Sequence, residues 1–132
     1  MSALGRIRKR PQYQYVAHNG HKFFCRYFVL QGVYSPENPS PEGSVAVSAE
    51  VWGQVRFGFI VTRKNGGAVV RNRIKRRLKE ACRAALQMNT LSLDRTVDIV
   101  VIGNARCIHM PFSELVRSLA QGMRELCGKI AA

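Results

Sequence analysis

The sequence predicts a small α/β sandwich, and three stretches carry that prediction. Residues 54–63 alternate apolar and polar side chains, residues 68–88 keep a helical apolar period, and Val97–Ile102 is a nearly continuous apolar run. A strand, a long helix and a strand covered on both faces, in that order, imply a parallel pair joined by a helix. With a shorter helix and more strands before them and a helix after them, the predicted order is α-β-β-β-α-β-α.

Each element has a local cause. Residues 1–10 carry Arg6, Arg8, Lys9 and Arg10 with few apolar partners, and are expected to form a flexible basic arm. Pro11 suits a first helical turn and Gly20 a stop, so a short helix is expected over 11–19, with Tyr13, Val16 and Ala17 on one face. Lys22 to Val33 is aromatic and β-prone, which fits one strand or two short ones. Residues 34–54 hold Pro36, Pro39 and Pro41 and read as an extended, solvated loop. In the next strand Val55, Phe57, Phe59 and Val61 face one way, and Arg56, Gly58, Ile60 and Thr62 the other. Gly66 and Gly67 make the turn into a helix over Ala68–Met88, ended by Asn89 and Thr90. Pro111 opens the last helix, with Phe112, Leu115, Val116, Leu119, Met123 and Leu126 on one face. Gly122 in its interior costs about 1 kcal/mol relative to Ala.

The totals bound the function. A chain of 132 residues, 46% hydrophobic, makes one domain with a core of its own. Lys and Arg number 21 against 8 acids, a formal net charge of +13, which calls for a polyanionic partner. The acids are Glu37, Glu42, Glu50, Glu80, Asp94, Asp98, Glu114 and Glu125, and no two form a close pair in sequence. That argues against a metal-dependent nuclease acting alone, which needs clustered carboxylates. Cys25, Cys82, Cys107 and Cys127 form no CxxC and follow no apolar signal sequence, so reduced thiols in the cytoplasm are expected. His18, His21 and Cys25 fit no common zinc module. No window approaches the roughly 18 apolar residues of a membrane span.

The long helix concentrates the charge. Seven of the thirteen residues from Arg71 to Arg83 are Arg or Lys, opposed only by Glu80. With Ile74 pointing inward, Val70, Leu78, Ala81 and Ala85 share its face, while Asn72, Arg76, Lys79 and Arg83 point away. Arg73 and Arg77 flank one side, Lys75 the other, and Arg71 lies near the core boundary. Like charges at i,i+4 repel, and cations in the first turn oppose the helix dipole. Placement therefore works against the isolated helix, and a polyanion would reverse the penalty. Arg63 and Lys64 extend the patch toward the helix N-terminus. Guanidinium forks match phosphates, and Asn72 can read a base edge or a 2′-hydroxyl. Phe23, Phe24, Tyr27 and Phe28 crowd the first strand region, and Phe57 and Phe59 a later strand. Alternation puts most of them in the core, but one or two left uncovered would stack single-stranded bases.

The stretch FGFIVTRKNGGAVVRNRIKRRLKEACR resembles the signature region of the protein subunit of bacterial ribonuclease P. The matching residues are Thr62-Arg63-Lys64, Gly66, Ala68-Val69, Arg71-Asn72-Arg73 and Lys75-Arg76-Arg77. The resemblance implies a mixed sheet whose parallel pair is joined by a left-handed βαβ crossover, as in the second domain of ribosomal protein S5. Generic rules would favour the right hand in about 98% of cases. It implies binding of the catalytic ribonuclease P RNA, one protein per RNA, through Arg63, Lys64, Arg71, Asn72, Arg73, Lys75, Arg76, Arg77 and Lys79. It implies that the concave face of sheet and first helix holds the 5′ leader of precursor tRNA, through Tyr13, Phe28, Phe57 and Phe59. The RNA, with Mg²⁺ held mainly by it, would cut the phosphodiester bond to leave the mature tRNA 5′ end, and no catalytic residue or metal ligand is assigned to the protein. The family's Gly-Asn turn is Gly66-Gly67 here, and the second Phe of its first helix aligns with Ala17. The rival readings are a DNA-binding or ribosome-associated basic protein and a stand-alone ribonuclease. A membrane-surface role ranks last, because the large apolar residues turn away from the basic ones.

Overall fold

A computed structural model describes residues 5–7, 10–35, 55–88 and 96–131. The strands are β1 (Gly5–Arg6), β2 (His21–Phe24), β3 (Phe28–Tyr34), β4 (Val55–Ile60) and β5 (Val97–Gly103). The helices are α1 (Arg10–Asn19), α2 (Ala68–Met88) and α3 (Phe112–Ala131). They build one mixed sheet in the order β1-β4-β5-β3-β2. β4 runs parallel to β5, the pair that the long helix predicts, and β3 is antiparallel to both β5 and β2.

Strand alternation divides the core in two. Phe28, Leu30, Val55, Phe57, Val97, Ile99 and Val101 point to the face covered by α2 and α3, where Ile74, Leu78, Leu115, Leu119 and Met123 meet them. Val100 points to the opposite face, with Val33, Ile60 and Ile102 beside it, under Val16 and Tyr13 of α1. β5 is covered on both sides, and Val97 to Val101 are all buried. That is why it reads as an unbroken apolar run. Gly122 has a packing reason: a Cβ there would lie 2.8 Å from Leu30 and from Phe23. Its lack of a side chain brings α3 onto β2 and β3, which offsets its helix penalty.

In its elements and core the structure departs from the sequence reading in three places. The basic arm is not wholly free: Gly5 and Arg6 pair in parallel with Arg56 and Phe57 of β4, and buried Ile7 donates its N–H to the Phe57 carbonyl at 2.9 Å. An open sheet edge and one apolar residue suffice to recruit it. Tyr34 ends β3 instead of opening the loop, and Ser35 after it is buried. The rest of the loop, 36–54, and the predicted helix stop at Asn89 and Thr90 lie outside the described residues. Val70 is not a core residue but 36% exposed, because the first turn of α2 stands beyond the edge of the apolar cluster.

Across the sheet, Arg56 of β4 faces Asp98 of β5. Its Nε and Nη2 donate to the two carboxylate oxygens at 2.7 and 2.9 Å, and Nη2 also donates to Ser35 Oγ at 2.9 Å. Asp98 is thus a buried carboxylate with a bidentate partner, held out of any reactive role.

Candidate nucleic-acid interface

The helix α2 keeps its predicted bounds and sorts its side chains as the period requires. Ile74, Leu78, Ala81, Cys82, Ala85 and Leu86 are buried. Asn72, Arg73 and Arg76 are exposed, and Lys75 and Lys79 are half-buried. Before the helix, the chain makes a 3₁₀ turn at Arg63–Asn65 and then Gly66, whose φ of 136° is open to glycine and strained for other residues. That turn leaves Arg63 and Lys64 exposed beside the helix start. Arg71 folds back over it, its Nε donating to the Gly66 carbonyl at 3.2 Å. Arg83 pairs with Glu80 at 2.6 Å, which uses the one acid of the helix on its own surface.

Arg77, which the sequence reading groups with the RNA-facing cations, is half-buried: its Nε donates to the Cys107 carbonyl at 2.8 Å and its Nη2 to the Met110 carbonyl. Its guanidinium lies 5.6 Å from the Phe112 ring centroid. Arg77 thus ties α2 to the 3₁₀ turn Ala105–Ile108 and to the start of α3, and its fork is committed to backbone. With Arg77, the residues Arg73, Arg76 and Glu80 line an open groove of about 290 Å³ whose apolar wall is Ile108 and Phe112. Arginines around an apolar wall suit a nucleotide, with phosphate on the rim and base against the floor.

The aromatic assignments divide by sheet face. Phe28 and Phe57 are 1% exposed in the core under α2 and α3, so neither can stack on a base. Phe59 is half-buried on that same side, stacked on Phe57 with centroids 6.0 Å apart and with Lys79 Nζ 5.9 Å from its ring. It belongs with α2 and not with the α1 face. Tyr13 alone of the four lies on the α1 face, half-buried, its hydroxyl donating to the Ile7 carbonyl at 3.2 Å. Its ring rests on Gly58, where a Cβ would come within 2.6 Å of it.

The α1 face has an aromatic, Phe24, that the sequence reading names in its cluster but does not assign to the leader. Phe24, Val29, Ile102 and Ile60 form one register row across β2, β3, β5 and β4, on the face opposite α2 and α3. α1 leaves this row open: Phe24 is 72% exposed and the other three are half-buried. Exposed Lys22 lies on the same face of β2, two residues from Phe24. The signal was parity. Phe24 pairs with Val29, out of phase with core-facing Phe28 and Leu30, but phase needs the register to be known.

Among the described residues no group of three or more His, Cys, Asp or Glu is placed to hold a metal ion. The four cysteines are unpaired, and Cys82, Cys107 and Cys127 are buried. Burial pushes the Cys127 thiol up to about 11, and raises Cys82 and Cys107 as well. Such thiols are poor nucleophiles and metal ligands. No helix among the described residues is long and apolar enough to cross a membrane.

Known proteins match both the sequence and the fold. The family model for ribonuclease P matches residues 1–127. The ribonuclease P protein component of Bartonella quintana is 39% identical over 119 residues, covering 90% of this chain and 80% of that one. The corresponding component of Brucella suis is 36% identical over 131 residues, covering 94% and 84%. The solved ribonuclease P protein of Staphylococcus aureus superposes with a TM-score of 0.62 at 25% identity, covering 95% of each chain.

Proposed function

We propose a division of labour for this chain, which belongs to the ribonuclease P protein family: one face of the sheet serves the catalytic RNA and the other the substrate. The protein is an accessory subunit of a ribonucleoprotein endoribonuclease that trims the 5′ leader of tRNA precursors. In this reading α2 docks on the ribonuclease P RNA through Arg73, Arg76, Asn72, Lys75 and Lys79, with Arg63, Lys64 and Arg71 extending the contact around the helix start. The carrying observation is the outward face of α2, where Asn72, Arg73 and Arg76 are exposed over a buried apolar stripe. Neutralising phosphates there releases counterions and removes the like-charge repulsion along the helix.

The 5′ leader lies on the α1 face, against Tyr13 and the row of Ile60, Ile102, Val29 and Phe24. Unpaired bases stack on the two aromatics, and Lys22 meets the backbone phosphates. Mg²⁺ would be held mainly by the RNA and would supply Lewis-acid activation of water there; no residue of this chain is assigned to hold it. The protein's own residues contribute affinity and alignment of the leader relative to the RNA. The reading includes one protein per RNA subunit, in the cytoplasm, where the unpaired cysteines stay reduced.

The test combines the protein with a matching ribonuclease P RNA and a precursor tRNA at low Mg²⁺. Precursor binding and leader removal should both exceed those of the RNA alone. No gain in either overturns the reading, and cleavage by the protein without RNA overturns the accessory role.

A further inference from the structure

A second concave basic site lies at the sheet end, across the 3₁₀ turn from the α2 groove. It has about 830 Å³, and Arg26, Arg106 and His109 line it with Tyr27, Met110 and Glu114. Arg26 comes from the turn between β2 and β3, and Arg106 from the chain after β5. One residue positions both. Asn104 donates from Nδ2 to the Arg26 carbonyl at 2.9 Å, and its Oδ1 accepts from the Arg106 N–H at 2.9 Å. The Asn104 N–H and the Cys107 thiol both donate to the Tyr27 carbonyl, at 3.2 and 3.1 Å. The segments bearing the two arginines, 80 positions apart in sequence, are therefore clamped to each other while the side chains of Arg26 and Arg106 stay exposed.

We propose that this Asn104-clamped pair, Arg26 and Arg106, is a separate RNA-phosphate site, with Tyr27 and Met110 offering an apolar wall to the adjoining nucleotide. The inference rests on the RNA-binding reading above and adds a contact beyond α2. Three observations favour RNA over an acidic protein. Guanidinium forks carried on a clamped backbone suit phosphodiester oxygens, which repeat along a strand. A half-buried ring beside cations suits a base. The site is also continuous with the α2 patch: Asn65 Oδ1 accepts from the Ala105 N–H at 3.3 Å, joining the Arg63–Asn65 turn to the turn that carries Arg106. The one carboxylate in the lining, Glu114, sits in the first turn of α3, where it complements the helix dipole.

The catalytic RNA and the precursor tRNA offer the same phosphate chemistry, so the test has two arms. Salt-dependent affinity is measured for the catalytic RNA alone, then for leader-bearing precursor with the assembled holoenzyme. Arg26→Ala with Arg106→Ala should weaken one of the two by roughly tenfold or more and reduce its log–log salt slope by about one per arginine. The arm that changes names the RNA. Asn104→Ala keeps both charges, so it should lower the same affinity while leaving the slope unchanged; Asn104 is a positioning residue. Arg26→Lys with Arg106→Lys should keep the slope and guards against loss of fold in the alanine variant. Unchanged affinity and slope in both arms, while Arg73→Ala still weakens binding of the catalytic RNA, overturns this site and leaves the α2 reading standing. If Arg73→Ala is silent too, the parent reading falls with it.

Discussion

Neighbouring arginines of α2 do different work, and substitution should separate them. Arg73 and Arg76 are exposed, whereas Arg77 donates to the Cys107 and Met110 carbonyls and lies over Phe112. Arg73→Ala or Arg76→Ala should weaken binding to the catalytic RNA and lower its salt slope by about one, with little change in unfolding midpoint. Arg77→Ala strips two carbonyls of their donor and should lower stability by about 1–3 kcal/mol. Urea unfolding beside filter binding distinguishes the two, and an unchanged midpoint for Arg77→Ala counts against its tying role. The buried thiols make a second prediction at this scale. A thiol whose folded value is raised keeps its proton while the unfolded chain releases one. The stability it contributes is therefore full below pH 9 and lost as pH rises toward its folded value. For Cys127 that window runs from 9.0 to about 11, and burial raises Cys82 and Cys107 in the same direction. The urea midpoint should fall between pH 8 and pH 10.5, and less so in Cys127→Ala. An equal fall in both proteins would remove Cys127 from the alkaline transition.

At the scale of elements, α1 and the open row of the sheet form the proposed leader face. Tyr13→Ala and Phe24→Ala should each weaken binding of leader-bearing precursor by about 1–3 kcal/mol and leave leaderless tRNA unaffected. Equal losses on both ligands, read by equilibrium titration of the holoenzyme, would take that residue out of the leader site. This face also marks where the sequence stops being legible. The helices could be read from it, because a period of 3.6 with apolar anchors such as Ile74, Leu78 and Leu119 is a local property. β5 could be read from its composition. The short edge strand β1 could not, since Gly5 and Arg6 gain a partner only when β4 is in place. Phe28, Phe57 and Phe59 lie on the other face from Tyr13 for a related reason. Phe23 and Phe24 differ by one position, yet one packs under α3 and the other is 72% exposed. Which of them meets solvent depends on pairing with β3 and on how far α1 reaches, and neither is written in β2 itself. The α2 patch was easier, because seven cations in thirteen residues leave few places to hide them. Even there, the diversion of Arg77 became visible only once the turn after β5 was placed against it.

At the scale of the molecule, the proposed function gives the two faces of the sheet separate binding tasks. α2 lies on one face and α1 on the other, with the buried row of Ile99 and Val101 facing the first and Val100 the second. The outward side of α2 is further from the leader face by its own diameter, about 10 Å. The Tyr13 hydroxyl is spent on the Ile7 carbonyl, on the α1 face, and Arg73 stands exposed on α2. Sites this far apart, with no shared partner, lose free energy independently, to within about 0.5 kcal/mol. A double-mutant cycle on Tyr13→Ala and Arg73→Ala should therefore close, with leader-bearing precursor affinity for the holoenzyme as the readout and protein held well above its dissociation constant for the RNA. The condition matters, because Arg73→Ala weakens assembly and would otherwise mask the leader term. Closure would mean that the sheet acts as a rigid spacer, setting the leader at a fixed offset from the RNA. A coupling energy above about 1 kcal/mol would mean instead that docking of α2 reshapes the α1 face, and the two faces would then have to be treated as one site.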